Sequence, residues 1–249
     1  MPCGRWARPT RRSAASQQSM VYMGYEGNRP DIYTYVIGSG RNRVVVDRAA
    51  PTFAPRYSPD GRYIVFSMSS AGNTNIWRVP AGGGSPQQLT SAPGIDTAPS
   101  YSPDGSRIVF ESDRSGGQQI YVMNADGSGQ RRISFGGGRS ATPVWSPKGD
   151  LIAFTRIAGN FRIGVMSPSG GGERLLTNSW QDEGPSWSPN GRVILFFRAA
   201  QGSGKADLWS VDLTGVNERK VPTPLDGSDP LAAVVADEEP VAHMPVVCG

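Results

Sequence analysis

A five-residue phrase, aromatic-Ser-Pro-Asp-Gly in outline, returns along this chain at a nearly fixed interval. It reads Arg-Tyr-Ser-Pro-Asp-Gly at 56–61, Ser-Tyr-Ser-Pro-Asp-Gly at 100–105, Val-Trp-Ser-Pro-Lys-Gly at 144–149 and Ser-Trp-Ser-Pro-Asn-Gly at 186–191. Its serines, Ser58, Ser102, Ser146 and Ser188, stand 44, 44 and 42 residues apart. A second landmark keeps the same phase: Ile32-Tyr33, Ile76-Trp77, Ile120-Tyr121, Ile163-Gly164 and Leu208-Trp209. Two signals at one period mark a repeat architecture, because each unit is one supersecondary element that buries its faces only against its neighbours.

The unit itself is a β unit. Proline at the second turn position presets φ near −65°, and the closing glycine accepts positive φ at little cost. Asp or Asn between them bonds local backbone, which Lys148 cannot do, so the third turn is expected to be slightly weaker. A near-continuous apolar strand follows each turn: Ile64-Val65-Phe66, Ile108-Val109-Phe110, Ile152-Ala153-Phe154 and Ile194-Leu195-Phe196. Such runs suit strands buried on both faces. The Ile-aromatic strand comes next, and then an outer strand ending at Leu89-Thr90, Ile133-Ser134 or Leu176-Thr177. Four strands in about 42 residues make a propeller blade. A helical repeat fails because Pro and Gly punctuate every unit and no 3.6-residue period appears. The predicted fold class is therefore all-β, a β-propeller of four-stranded blades.

Four units are complete, starting near Phe53, Thr97, Ala141 and Glu183, and a fifth is partial, with strands at 20–23, 32–35 and 44–46. The predicted organisation is a disordered or non-native segment at 1–19, a propeller at 20–230 and an irregular tail at 231–249. Net charge divides along these lines. Arg5, Arg8, Arg11 and Arg12 equal the whole formal charge of +4, and the tail holds Asp237, Glu238 and Glu239 without Lys or Arg. No basic cluster with interleaved aromatics speaks for nucleic acid. No run approaches the roughly 20 apolar residues of a membrane-spanning helix. Cys3 and Cys248 suggest neither a disulfide framework nor a metal cage.

Catalytic constellations are missing. The only histidine is His243 in the tail, and no Gly-x-Ser-x-Gly elbow occurs, so a Ser-His-Asp hydrolase has neither base nor nucleophile. Zinc is excluded on the same grounds. Asp96, Asp182, Glu183 and Asp229 precede inner strands, where they could gather a hard cation such as calcium. Equally, they could cap turns or pair with arginines such as Arg56. The triple glycines at 82–84 and 170–172 lack the following Gly-Lys-Ser/Thr of a phosphate loop and read as hairpin turns. Tyr57, Tyr101, Trp145 and Trp187 recur at one strand position, which argues for packing between blades.

Beyond the generic turn, several phrases carry a family resemblance: Thr-Phe-Ala-Pro-Arg-Tyr-Ser-Pro-Asp-Gly (52–61), Ile-Asp-Thr-Ala-Pro-Ser-Tyr-Ser-Pro-Asp-Gly (95–105), Phe-Glu-Ser-Asp-Arg (110–114), Thr-Pro-Val-Trp-Ser-Pro-Lys-Gly-Asp-Leu-Ile-Ala-Phe (142–154) and Glu-Gly-Pro-Ser-Trp-Ser-Pro-Asn-Gly-Arg-Val (183–193). Over roughly 20–230 the chain resembles the TolB family of the Tol-Pal envelope system. The resemblance implies a six-bladed propeller, of which about five blades are present, in a periplasmic, non-catalytic scaffold that binds the lipoprotein Pal. That scaffold would maintain outer-membrane integrity and support constriction at division. It implies no cofactor or metal. It also places the Pal-facing channel mouth just before each inner-strand proline, at Thr52, Phe53 and Ala54, at Asp96, Thr97 and Ala98, at Ala141 and Thr142, and at Asp182, Glu183 and Gly184. The family's second partner, TolA, engages an N-terminal strand that has no counterpart in these residues, nor is a secretory signal visible. The runner-up reading is the accessory propeller of a peptidase-like or carboxylate-using hydrolase. With one blade missing and the strand after Pro230 replaced, the ring is expected to be open, exposing Ile32, Tyr35, Phe196 and Phe197.

Overall fold

The structure is a computed structural model that describes residues 18–26, 29–37, 39–46, 50–203 and 205–222. The segments expected at 1–19 and 231–249, apart from Gln18 and Ser19, lie outside the described residues, as do His243, both cysteines and Asp229. Every regular element described is a strand.

Nineteen strands form in chain order. The first sheet holds β1 (Ser19–Glu26), β2 (Arg29–Val36) and β3 (Arg41–Val46). Blade II follows with β4 (Thr52–Tyr57), β5 (Tyr63–Ser70), β6 (Asn73–Pro80) and β7 (Gln87–Gln88), and blade III with β8 (Asp96–Tyr101), β9 (Arg107–Ser112), β10 (Gln119–Asn124) and β11 (Arg131–Arg132). Blade IV holds β12 (Arg139–Trp145), β13 (Ile152–Ala158), β14 (Asn160–Met166) and β15 (Arg174–Leu175). Blade V closes the described part with β16 (Gln181–Trp187), β17 (Val193–Ala199), β18 (Ala206–Asp212) and β19 (Arg219–Lys220). Blades II to V are antiparallel meanders, each led by the strand that ends in the repeated turn. Blade I aligns as the last three strands of such a unit, since Ile32 on β2 takes the place of Ile76 on β6.

The blades meet face to face. The second strands of blades II to IV are buried on both sides, while in blade V Leu195 is half-buried. Ile64 and Phe66 pack toward blade I, whereas Val65 packs toward blade III. Ile108 and Phe110 face back to blade II, and Val109 faces forward to blade IV. The once-per-blade aromatics do the same job. Tyr57, Tyr101, Trp145 and Trp187 each pack into the cluster shared with the preceding blade. Backbone bonds stitch neighbours as well: Thr74 N–H to Gly94 O at 3.1 Å, Ser140 N–H to Gln118 O at 2.8 Å and Phe161 N–H to Trp180 O at 3.1 Å.

Three expectations need correction. The outer strands stop two residues early in all three cases, directly before Leu89-Thr90, Ile133-Ser134 and Leu176-Thr177. Hydroxyls take over there: Thr90 Oγ1, Ser134 Oγ and Thr177 Oγ1 accept the N–H of Ile76, Ile120 and Ile163 at 2.9, 2.8 and 3.0 Å. The Lys148 turn is not left short of an acceptor, because Asp150 Oδ1 takes the Ser146 hydroxyl at 2.8 Å. Finally, Ile32 and Phe196 are wholly buried, in the clusters between blades I and II and between IV and V, while Tyr35 and Phe197 are half-buried. No helix among the described residues is long and apolar enough to cross a membrane.

Candidate functional site

Every inner strand begins with a defect. The ladder between the first and second strands slips between Phe53 and Arg56, Thr97 and Ser100, Ala141 and Val144, and Glu183 and Ser186. Each slip contains the blade's proline, Pro55, Pro99, Pro143 or Pro185. Proline has no N–H for the ladder, so within sheets it is confined to edges and bulges. The residue before it enters the left-handed region: φ is 52° at Ala54, 49° at Ala98, 48° at Thr142 and 65° at Gly184. Only the glycine does so without cost. A Cβ in that region meets the following carbonyl oxygen, at roughly 1–2 kcal/mol per residue, and a β-branched residue such as Thr142 is a true outlier there.

These four bulges come from successive blades and sit at the same end of the inner strands, opposite the Ser-Pro-Asp-Gly turns. Strain of this kind persists where surrounding structure holds it, and it concentrates at binding sites. Two contacts across blade junctions hold it here. Ser67 Oγ donates to Thr97 Oγ1 at 3.2 Å, and Glu111 Oε2 accepts the backbone N–H of Thr142 at 3.0 Å. Thr142 Oγ1 also shares a hydrogen bond of 2.8 Å with Thr155 Oγ1. Glu111 is buried, and burial pushes its carboxyl above the ordinary glutamate range despite the Thr142 bond.

The predicted mouth residues divide into two groups. Phe53, Ala54, Thr97, Ala98, Thr142, Glu183 and Gly184 are half-exposed at the bulges and available to a partner. Thr52, Asp96, Ala141 and Asp182 are buried. The two aspartates turn into their own blades. Asp96 Oδ2 is 2.7 Å from Arg114 Nη2, and Asp182 takes Arg198 Nε and Nη2 at 2.6 and 2.8 Å. Each arginine also reaches the segment before its outer strand: Arg114 meets Gln130 Oε1 at 2.7 Å, and Arg198 meets Glu218 Oε2 at 2.6 Å. Their planes lie over Phe110 and Tyr121 and over Phe196 and Trp209. The hydrogen bonds that Arg198 donates to Asp182 push its pKa still higher. An arginine bolt thus spans these blades from inner to outer strand. In blade IV the inner-strand acid is Ser140; Arg156 pairs with Glu173, but Ser140 Oγ and Arg156 Nε are both buried without a partner.

Of the two readings of the carboxylates, the arginine pairing holds for Asp96 and Asp182, with Arg114 and Arg198 as partners in place of Arg56. No group of three His, Cys, Asp or Glu side chains able to hold a metal occurs among the described residues. Sequence reasoning missed one feature of this end. Ile95, Phe135 and Trp180 are exposed on the three consecutive loops that lead into β8, β12 and β16. Their signal was available: single large apolar residues in loops otherwise made of Gly, Ser, Pro and Asn.

The family model described as TolB beta propeller domain matches residues 10–231. The Tol-Pal system protein TolB of Rhizorhabdus wittichii is 71% identical over 77 residues, 31% of this chain and 18% of that protein. Its counterpart from Gluconobacter oxydans is 44% identical over 234 residues, 91% of this chain and 52% of the relative. The chain therefore spans about half or less of these relatives' length. Among solved structures, TolB from Acinetobacter baumannii superposes with a TM-score of 0.75 at 28% identity, covering 83% of this chain and 52% of that one.

Proposed function

The chain belongs to the TolB propeller family, and from that premise we propose that it is a non-catalytic periplasmic scaffold whose bulged channel mouth binds the lipoprotein Pal. The observation that carries the reading is the ring of left-handed residues at Ala54, Ala98, Thr142 and Gly184. Small side chains at half-exposed bulges leave backbone and shallow concavities for a partner to enter. The apolar residues Ile95, Phe135 and Trp180 stand beside them on the same end. Interfaces of this type have an apolar, well-packed centre within a polar rim. Holding Pal in this way would serve outer-membrane integrity and constriction of the envelope at division.

Titration calorimetry with the periplasmic domain of Pal tests the proposal. Replacing Ala98 with Arg puts a long charged chain into the packed centre and is expected to cost at least about 1–2 kcal/mol of affinity. Unchanged affinity in a folded A98R variant would remove the site from the bulges. Absence of binding by the unmutated chain would remove the partner.

A further inference from the structure

At one height along the inner strands, each blade reaches forward to the next. Residues directly opposed in an antiparallel pair present their side chains on one face. Ser100 is opposite Val109, which packs between blades III and IV, and Ser100 Oγ accepts the Trp145 backbone N–H at 3.3 Å. At the next junction the Val144 carbonyl accepts Trp187 Nε1 at 3.1 Å. Both junctions therefore put an acceptor in front of the following blade's aromatic residue.

The junction of blades II and III has a cation there instead. Arg56 is opposite Val65, which packs between these two blades, so its side chain also faces blade III. Arg56 is only 8% exposed, and its Nη1 is buried with no hydrogen-bond partner. Among the described residues, no carboxylate forms an ion pair with it. A second donor faces the same place. Ser102 N–H bonds Arg107 O at 2.9 Å, so the neighbouring pair of Tyr101 and Ile108 is a non-bonded one. Bonded and non-bonded pairs alternate in an antiparallel ladder. The Tyr101 N–H consequently points away from its own blade, as the Trp145 N–H does.

The junction thus holds a buried charge whose Nη1 has no partner, while the Tyr101 N–H and C=O both turn out of their own ladder. A buried charge without a counter-ion is strongly unfavourable. Burial lowers the Arg56 pKa to about 10, which still leaves it charged at neutral pH. We propose that the junction of blades II and III binds a small anion, inorganic or carboxylate, between the Arg56 guanidinium and the Tyr101 N–H. The site stands independently of the Pal reading.

The test measures thermal midpoints of the 249-residue chain at constant ionic strength. A bulky sulfonate is the only anion at first and is then exchanged for chloride, acetate or phosphate. The wild type is expected to gain about 2–4 °C with at least one of them. Arg56→Met is expected to gain nothing, and to exceed the wild type in sulfonate because the unpaired charge has gone. A gain with acetate identifies carboxylate as a ligand, and a gain confined to chloride or phosphate identifies an inorganic ion. No gain in the wild type, or the same gain in both proteins, overturns the proposal. Should the variant fail to fold, bromide anomalous scattering from wild-type crystals decides: a peak in hydrogen-bonding contact with Arg56 supports the site, and an empty junction overturns it.

Discussion

The two ends of the inner strands follow opposite rules. At the turn end, polar groups find partners within a few residues. Ser58 Oγ donates to Asp60 Oδ1 and accepts the Tyr63 N–H, and the same pair of bonds recurs at Ser102 with Asp104 and Arg107, and at Ser188 with Asn190 and Val193. The glycines closing these turns take the positive φ. At the bulge end, alanine or threonine takes it at three of the four bulges, and bonds at Thr97 and Thr142 cross from one blade to the next. The turn is a local, relaxed device that any blade can use alone. Two of the four bulges are tied to a neighbouring blade, so if the proposed site is right, a partner there would act on the packing between blades as well.

The largest expected effect lies at the bulge end. Asp182→Ala removes the carboxylate that takes two nitrogens of Arg198 and leaves Glu218 as the sole ion-pair partner shown. Breaking one side of a buried pair costs about 3–5 kcal/mol, and the surviving Glu218 should hold this case near 3. Urea unfolding followed by fluorescence would measure it. A loss under about 1 kcal/mol would mean that the bolt is no more important than an exposed pair.

Next is the strain itself. Ala54→Gly relieves a left-handed Cβ but gives the unfolded chain more freedom. The first is worth roughly 1–2 kcal/mol and the second about 0.4–1 kcal/mol in the opposite sense. The variant is therefore expected to be more stable by about 0.5–1 kcal/mol. The equivalent change at a turn has no counterpart, because glycine is already there. Destabilisation on urea titration would show that Ala54 is not strained.

What the sequence disclosed follows the same division. The turn, the strand after it and the blade period are written within a few residues of one another, and all were legible. The packing of Tyr57, Tyr101, Trp145 and Trp187 between blades followed from their fixed place in the repeat. Bolts were not legible, because Arg198 lies 16 positions beyond Asp182 and nothing local announces the pair. Arg56 looked like a partner for the acids, but it faces blade III while the aspartates turn into their own blades. Ile32 and Phe196 were misjudged as solvent-facing because counting blades says nothing about which cluster already covers a side chain. The half-exposed residues expected at the mouth lie at the bulges, but their strained conformation was not legible, since alanine before proline carries no mark of it.

A smaller effect should appear in acid. Hydrogen bonds from Ser102 and from the Ser106 backbone and hydroxyl lower the Asp104 pKa from 3.8 to about 2. A depressed carboxylate gives stability that is fully present above its unfolded pKa and is lost as pH falls through its folded one. Asp104→Asn should thus flatten the decline in thermal midpoint between about pH 4 and pH 2. Asn190 already fills the corresponding role in blade V without a charge. A variant with the same acid limb as the wild type would show that this carboxylate does not contribute.

The smallest effect concerns the turn that departs from the repeat. Lys148 stands where the other turns have Asp or Asn, so restoring Asp there looks like an improvement. The geometry says otherwise. Ser146 Oγ already donates to Asp150 Oδ1 at 2.8 Å and accepts the Lys148 N–H at 3.1 Å, and Gly149 N–H closes the turn on Ser146 O at 2.9 Å. An aspartate at 148 would compete with Asp150 for one hydroxyl proton and place two carboxylates beside each other on an exposed turn. It would also remove the Lys148 stem that lies against the Gly191 turn of the next blade. Lys148→Asp is therefore expected to change stability by less than about 0.5 kcal/mol, whereas Asp150→Ala should cost about 1 kcal/mol through the lost acceptor. Chemical denaturation of the two variants side by side separates the cases. If Lys148→Asp stabilises clearly while Asp150→Ala is silent, the acceptor must stand inside the turn, and relocating it to Asp150 is no substitute.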